Sequence, residues 1–517
     1  MAGKREETNR NPKVKGRKRA IFFKVTLIIV LLAVAITVFE LAPNYKKNYV
    51  KDKTNLIINN NNVTEHMKED IYVDENKTIY LSMADVDNYF DGNITYDEKY
   101  NQIITTYETK VASLVVGEKK VTINGVEKAI LAPAIKKDAT YYLPFSELGE
   151  VYNADVKYNA DADTFVIVSR DRKLVKADAV KKLSVRALEK TLSASVAKVQ
   201  AGEKVIIISE GENWTRIRTE KGRMGYVKTK DIANAIAVRE QMDEIKTRLD
   251  EKVNLVWDYY YATAPDRSGQ KINGVNVVSP SFFELEDLGR GAIIDKTSQS
   301  YIAWAKSNGY KIWPMFSNNG MIQTTSEILN DYKLRGKVIE DIVDLVLKYD
   351  LDGINLDFEN MYKDDKDVFS RFVIELAPRL KEYGRTLSVD VTAPDGSETW
   401  SECYNRNLIG NVSDYIIFMA YDQYGPSSPK AGSVAGFDWV ELSLDKFINR
   451  EEVKPEKLIL AIPFYTRLWK EQNGSLTGSS AVNMNNINTV LPSTADRVWD
   501  EVTRQYYTEY VQGRHNV

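Results

Sequence analysis

Between Leu351 and Asn360 the chain reads Leu-Asp-Gly-Ile-Asn-Leu-Asp-Phe-Glu-Asn, with acid and amide groups set into an otherwise strand-like run. Successive side chains of a strand point to opposite faces, so Ile354, Leu356 and Phe358 share one face and Asn355, Asp357 and Glu359 the other. At a rise of about 3.3 Å per residue, Asp357 and Glu359 stand roughly 6.6 Å apart along the strand, close enough for their carboxyls to lean over one substrate atom. Two such acids do not both ionise cheaply, and the one that keeps its proton to higher pH is equipped as a general acid. The plainer reading is an acidic strand end that caps a turn.

These ten residues resemble the signature of glycoside hydrolase family 18, chitinases and related N-acetylglucosaminidases, which is Asp-Gly-x-Asp/Asn-x-Asp-x-Glu on the fourth strand of a TIM barrel. Asp352, Gly353, Asn355, Asp357 and Glu359 carry the match. Asn355 departs from the commoner Asp, and this amide variant resembles the spore-cortex and cell-wall branch of the family. The resemblance implies that Glu359 protonates the leaving oxygen, that the substrate's own acetamido oxygen attacks the anomeric carbon, and that Glu359 then takes a proton from water. Asp357 would orient the acetamido N–H. Farther on, Phe418-Met-Ala-Tyr-Asp422 resembles the family's Met-x-Tyr-Asp motif, which assigns Tyr421 to the acetamido oxygen. Asn355, Asp390, Met419, Asp422, Tyr465 and Arg467 are then the candidate sugar contacts, with Thr392 beside Asp390. Each alone is more often ordinary barrel filling; their convergence on one rim is the argument for a site. Neither a cofactor nor a metal is expected: His66 and His515 are the only histidines, too few for a zinc site, and no Ser-His-Asp arrangement is in view.

The elements that must position these residues follow from periodicity. Strands alternate with amphipathic helices such as Asp367 to Tyr383 from residue 250 onward, the pattern of an α/β barrel. Strands are expected at Val253 to Asp258, Val275 to Phe282, Lys311 to Ser317, Gly353 to Glu359, Leu387 to Ala393, Tyr415 to Tyr421 and Leu458 to Phe464. Barrel sites lie at the C-terminal strand ends, where the polar residues collect. A stretch from Arg497 to Val511 resembles the family's small inserted α+β subdomain, and no eighth strand with its floor tryptophan is evident. The expected fold is therefore a (β/α)8 TIM barrel over 250–517 lacking its last strand, either as part of a longer product or with an open edge.

The 517 residues suggest several domains. Residues 1–20 form a basic tail holding Lys4, Arg5, Arg10, Lys13, Lys15, Arg17, Lys18 and Arg19, and an apolar run over 21–41 follows. Its length and the positive-inside rule predict a transmembrane signal anchor with all later domains outside, a cleavable signal peptide being the competitor. A polar juxtamembrane linker is read over 42–62 and a polar helical linker from Ala235 to Lys252. Over 63–170 an internal repeat offset by 62 residues sets Thr78-Ile-Tyr-Leu81 on Thr140-Tyr-Tyr-Leu143, Tyr96 on Tyr158 and Ile103 on Phe165, giving two copies of strand, short helix and hairpin. This region resembles the copper-amine-oxidase N-terminal-like domain of bacterial surface proteins, without implying copper. Residues 178–234 resemble a bacterial Src-homology-3-like module, a small β-barrel in which Trp214 and Tyr226 are either core or ligand contacts. With Cys403 alone, the exported part has no intramolecular disulfide.

A net charge of -3 gives no footing for nucleic acid. The expected function is a membrane-anchored, cell-wall-associated extracellular glycoside hydrolase cleaving β-1,4-linked N-acetylglucosamine polymers, peptidoglycan or chitin-like, with retention. A non-catalytic glycan-binding barrel or a wall structural protein is the alternative. The sequence specifies no oligomeric state.

Overall fold

The structure, a computed structural model, describes residues 22–36, 49–287, 290–513 and 515–517. The described residues form two compact units, one within 1–90 and 130–243, the other within 91–129 and 244–517. Of the expected membrane span, 22–36 is a helix with exposed apolar side chains, while the basic tail and the rest of the span lie outside the described residues. Among the described residues no helix is long and apolar enough to cross a membrane.

In the first unit the repeat takes the expected form. Strands Ile79–Ser82 and Thr140–Pro144 pair antiparallel with each other, Leu81 opposite Leu143, and lead respectively into the helix Met83–Tyr89 and a single 3-10 turn, Phe145–Glu147. The linker expected over 42–62 is corrected at its C-terminal end, because Asn55–Ile58 is a strand lying parallel to Thr164–Ser169. Its side chains Leu56, Ile57 and Ile58 are buried, and their apolar run has no use in a solvated linker. A seven-stranded sheet from Leu174–Ala179 to Ile232–Arg239 encloses Val185, Val199, Val205, Ile217 and Val227. The helical linker from Ala235 is also corrected: residues up to Arg239 pair with Leu174–Ala179, and 240–252 forms no helix. Residues 241–246 are exposed, and the segment's polar groups find partners outside it, Thr247 at Asp414 and the Leu249 N–H at the Tyr415 hydroxyl, so little is gained by nucleating a helix there.

Trp214 and Tyr226, expected as core or as ligand contacts, are half-buried and line a cavity of about 310 Å³ together with Glu189, Glu210, Glu212 and Arg216.

The first copy of the repeat parts after its helix. Its hairpin, Thr95–Asp97 against Gln102–Tyr107, sets Tyr96 opposite Ile103, just as Tyr158 stands opposite Phe165 in the second copy. It belongs to a five-stranded antiparallel sheet over 95–129 that groups with the second unit. Polar contacts fasten this sheet to helical segments of the second unit: Lys110 pairs with Glu382 at 2.8 Å, and the Tyr332 hydroxyl meets Ser113 Oγ at 3.0 Å. The repeat pattern marks each copy but carries no information on which neighbour it packs against.

The second unit holds seven parallel strands in sequence order: β1 (Leu255–Asp258), β2 (Val277–Pro280), β3 (Lys311–Ile312 and Met315–Ser317), β4 (Gly353–Asp357), β5 (Thr386–Val391), β6 (Tyr415–Met419) and β7 (Leu458–Ala461). No strand among the described residues pairs with the free edges of β1 and β7. Strand β4 is central, and Gly353 starts it because any Cβ there would stand 2.4 Å from the Thr386 carbonyl oxygen and 2.9 Å from the Trp313 ring. Helices α1 (Ile322–Leu329), α2 (Tyr332–Lys348) and α3 (Lys366–Lys381) surround it. Helix α2 starts at Asp331, whose side chain accepts from the N–H groups of Lys333 and Leu334, and it buries Val338, Ile339, Ile342, Val343 and Val346 at helical spacing. Arg335 and Glu375, both buried, join α2 to α3 by two hydrogen bonds of 2.9 and 3.0 Å.

Strand seven stops earlier than expected. Tyr465 and Arg467 lie on the next strand, Tyr465–Gln472, which folds back in a hairpin with Ser475–Asn483.

Candidate active site

The apolar face of β4 packs as its parity requires: Ile354, Leu356 and Phe358 are buried, and the Phe358 ring touches those of Phe316, Phe369 and Phe372. That burial fixes the opposite face inward. Asn355 is 0 % exposed and its amide is saturated within the protein. Its Oδ1 accepts from Trp257 Nε1 at 2.7 Å and Ser279 Oγ at 3.1 Å, while Nδ2 donates to Ser388 Oγ at 3.1 Å and Asp390 Oδ1 at 2.7 Å. Asn355 and Asp390, expected as sugar contacts, are therefore corrected to internal supports. No hydrogen-bonding capacity of Asn355 remains for a substrate, and Asp390 is only 1 % exposed. Burial and the charge of Asp357 push the Asp390 carboxyl well up from the ordinary carboxylate range.

One step along β4, the Asp357 carboxyl has the side chains of Ser317 and Glu359 as neighbours that stabilise its charged form. Burial pushes Asp357 up to about 6. Burial, then the Asp357 charge and the hydrogen bond to it, pushes Glu359 up to about 8. The two titration steps belong to the pair, and Glu359 is the member that keeps the proton at neutral pH. An acid so poised donates to a leaving oxygen and can later take the proton back.

Tyr421, just past β6, stands edge-on to Trp257 at 6.2 Å and to Tyr465 at 6.3 Å between ring centroids. Burial and the nearby carboxyls of Asp390, Asp357 and Glu359 push its hydroxyl well up, so it stays a donor. At the rim, the Tyr465 hydroxyl donates to Asp422 Oδ1 at 2.6 Å, and Arg467 lies 3.9 Å from the same oxygen. Asp422 is exposed with a left-handed φ of 56°, whereas Met419 is almost fully buried. The structure thus gathers Asp357, Glu359, Tyr421, Asp422, Tyr465 and Arg467, with Asn355 and Asp390 beneath.

The sequence profile of the glycosyl hydrolases family 18 matches residues 255–514, which include every one of these side chains. The chain belongs to that family. The profile of the copper amine oxidase N-terminal domain matches residues 57–167. Among curated relatives, the uncharacterized glycosylase YvbX of Bacillus subtilis (strain 168) is 27% identical over 210 residues, covering 39% of this chain and 60% of its own. The cortical fragment-lytic enzyme of Bacillus anthracis is 27% identical over 216 residues, covering 38% of this chain and 48% of its own. The chain spans about half the length of the curated relatives it matches. The solved chitinase from Chromobacterium violaceum ATCC 12472 superposes with a TM-score of 0.44 at 21% identity, covering 51% of this chain and 85% of that one.

Three residues of this family 18 site escaped the sequence reading. Trp257 lies under Tyr421 and could have been found from its parity on β1. Ser317 and Asn318 open the run Ser-Asn-Asn-Gly after β3, a cluster legible as a turn but not as a support for the acid pair. Asn318 bonds the backbone of Glu359 on both sides.

Proposed function

We propose that this family 18 chain hydrolyses β-1,4-linked polymers containing N-acetylglucosamine, peptidoglycan foremost, by substrate-assisted catalysis with retention. The observation that carries the reading is the placement of Asp357 and Glu359 at the end of β4, with Tyr421 just past β6; burial, which raises Asp357 to about 6 and Glu359 to about 8, favours Glu359 as the member that keeps its proton. Glu359 gives its proton to the glycosidic oxygen as the substrate's acetamido oxygen closes on the anomeric carbon. Asp357 accepts from the acetamido N–H and Tyr421 donates to its oxygen. Water then opens the cyclic intermediate on the same face, giving its proton to Glu359. The relatives named for cortical fragment lysis support a wall glycan over free chitin.

The pH profile of reducing-end release tests this reading. Activity needs Asp357 ionised and is lost as pH falls through its raised value near 6; it needs Glu359 protonated and is lost as pH rises through about 8. The curve should be a bell between those limits. An optimum below pH 5 would place the acid in the ordinary carboxylate range and remove Glu359 from that role.

The basic tail followed by the apolar run supports a membrane anchor with the barrel outside the cell, against the wall. Protease added to intact cells should then degrade the barrel; protection of the barrel while the N-terminus is cut would reverse the topology.

A further inference from the structure

We propose that Asn318 is the positioning residue of the general acid, setting the Glu359 carboxyl against Asp357 by clamping the Glu359 backbone; the proposal rests on the acid role given to Glu359 above. Strand β4 ends before its most important side chain. Its ladder with β3 runs out at Ser317 opposite Asp357, and its ladder with β5 at Leu356 opposite Val389. The N–H and C=O of Glu359 therefore project past the sheet, where an unpaired buried backbone group is costly and an unanchored residue is free to shift.

Asn318 supplies the missing rung. Its Oδ1 accepts from the Glu359 N–H at 2.9 Å and its Nδ2 donates to the Glu359 carbonyl at 2.8 Å. A planar side-chain amide thus takes the place that a strand neighbour's peptide group would fill. The remaining valences are also used: Oδ1 accepts from the Gly320 N–H at 3.2 Å, and Nδ2 donates to Thr325 Oγ1 at 3.0 Å on α1. The side chain is 0 % exposed, so no water substitutes for it. On the residue before, the Tyr404 hydroxyl donates to the Phe358 carbonyl at 2.7 Å. On the residue after, Asn360 turns away at a φ of 51° with its Nδ2 donating to the Gly320 carbonyl at 3.0 Å. Side chains, not a sheet, hold the acid's main chain. Asn318 is the one that fixes both of its polar groups, and nothing in its contacts reaches the substrate.

The test compares wild type with Asn318→Ala and Asn318→Asp in the full chain. Kinetics on an acetylated oligosaccharide are measured across pH, and the Glu359 carboxyl is titrated by ¹³C NMR, its signal assigned by loss in Glu359→Gln. A misplacement of about 1 Å costs on the order of 10²-fold, so Asn318→Ala should lower kcat by about 10- to 10²-fold while KM stays within about threefold. The Glu359 step should move down toward the ordinary carboxylate range as the carboxyl parts from Asp357, taking the alkaline limb with it. Asn318→Asp is isosteric and keeps the acceptor for the Glu359 N–H, so it should fold and recover part of both losses. Wild-type kcat and an unmoved Glu359 titration in these variants, with only reduced thermal stability, would overturn the proposal. A rise in KM at constant kcat would do the same, since it would make Asn318 a binding residue. Should wild type itself release no reducing ends, the functional reading fails, and the Glu359 titration in the variants still decides the clamp.

Discussion

Glu359→Gln is expected to lower reducing-end release by about 10²- to 10⁴-fold while glycan binding is largely kept. The amide preserves the shape of the side chain and can still donate to Asp357, but it has no proton to give to the leaving oxygen and cannot take one from water. Both halves of the reaction lose the same group, so the fall should appear in kcat and kcat/KM together, the mark of an interaction made only in the transition state. The protein should also shed the alkaline limb of any residual activity, because the group that titrates upward from the carboxylate range is Glu359. Measured turnover of Glu359→Gln within a few-fold of wild type would take the proton transfer away from this residue.

The order of the parallel strands in the second unit could be read from the sequence for one reason: strand parity and strand–helix alternation are local. Each expected strand from Val253 to Phe464 overlaps an observed one, and the split of Ile354, Leu356 and Phe358 from Asn355, Asp357 and Glu359 is the split seen in the fold. What could not be read depends on partners distant in sequence. Asn355 carries the family's polar position, yet only Trp257, Ser279, Ser388 and Asp390 closing around it reveal a support in place of a sugar contact. Asn318 looks like a turn residue until Glu359 is brought beside it. The stretch after Ala235 has helical composition, but its first residues find an edge strand to pair with, and its later ones lie extended in the second unit, Leu249 packing beside Trp313 and Tyr415. The 95–129 sheet follows the repeat faithfully in register and departs from it in packing, a choice made by α2 and α3 surfaces that the repeat does not encode.

The acetamido group of the substrate is the nucleophile in this account, and removing it should have an effect as large as removing the acid. Neither Asp357 nor Tyr421 is asked to bond to carbon; one accepts from the acetamido N–H and the other donates to its oxygen, and together they hold it under the anomeric centre. Intramolecular attack of this kind carries effective molarities of about 10⁵ M or more when geometry is right, so its loss should cost at least about 10³-fold. A thiazoline mimic of the cyclised intermediate should correspondingly bind more tightly than product, since it resembles the state the site is shaped to hold. The most direct measurement is therefore a comparison of hydrolysis rates on acetylated chains and on the same chains after deacetylation, with binding of both measured alongside. The account predicts that deacetylated chains bind and are not cut; equal rates of cleavage on the two would contradict it.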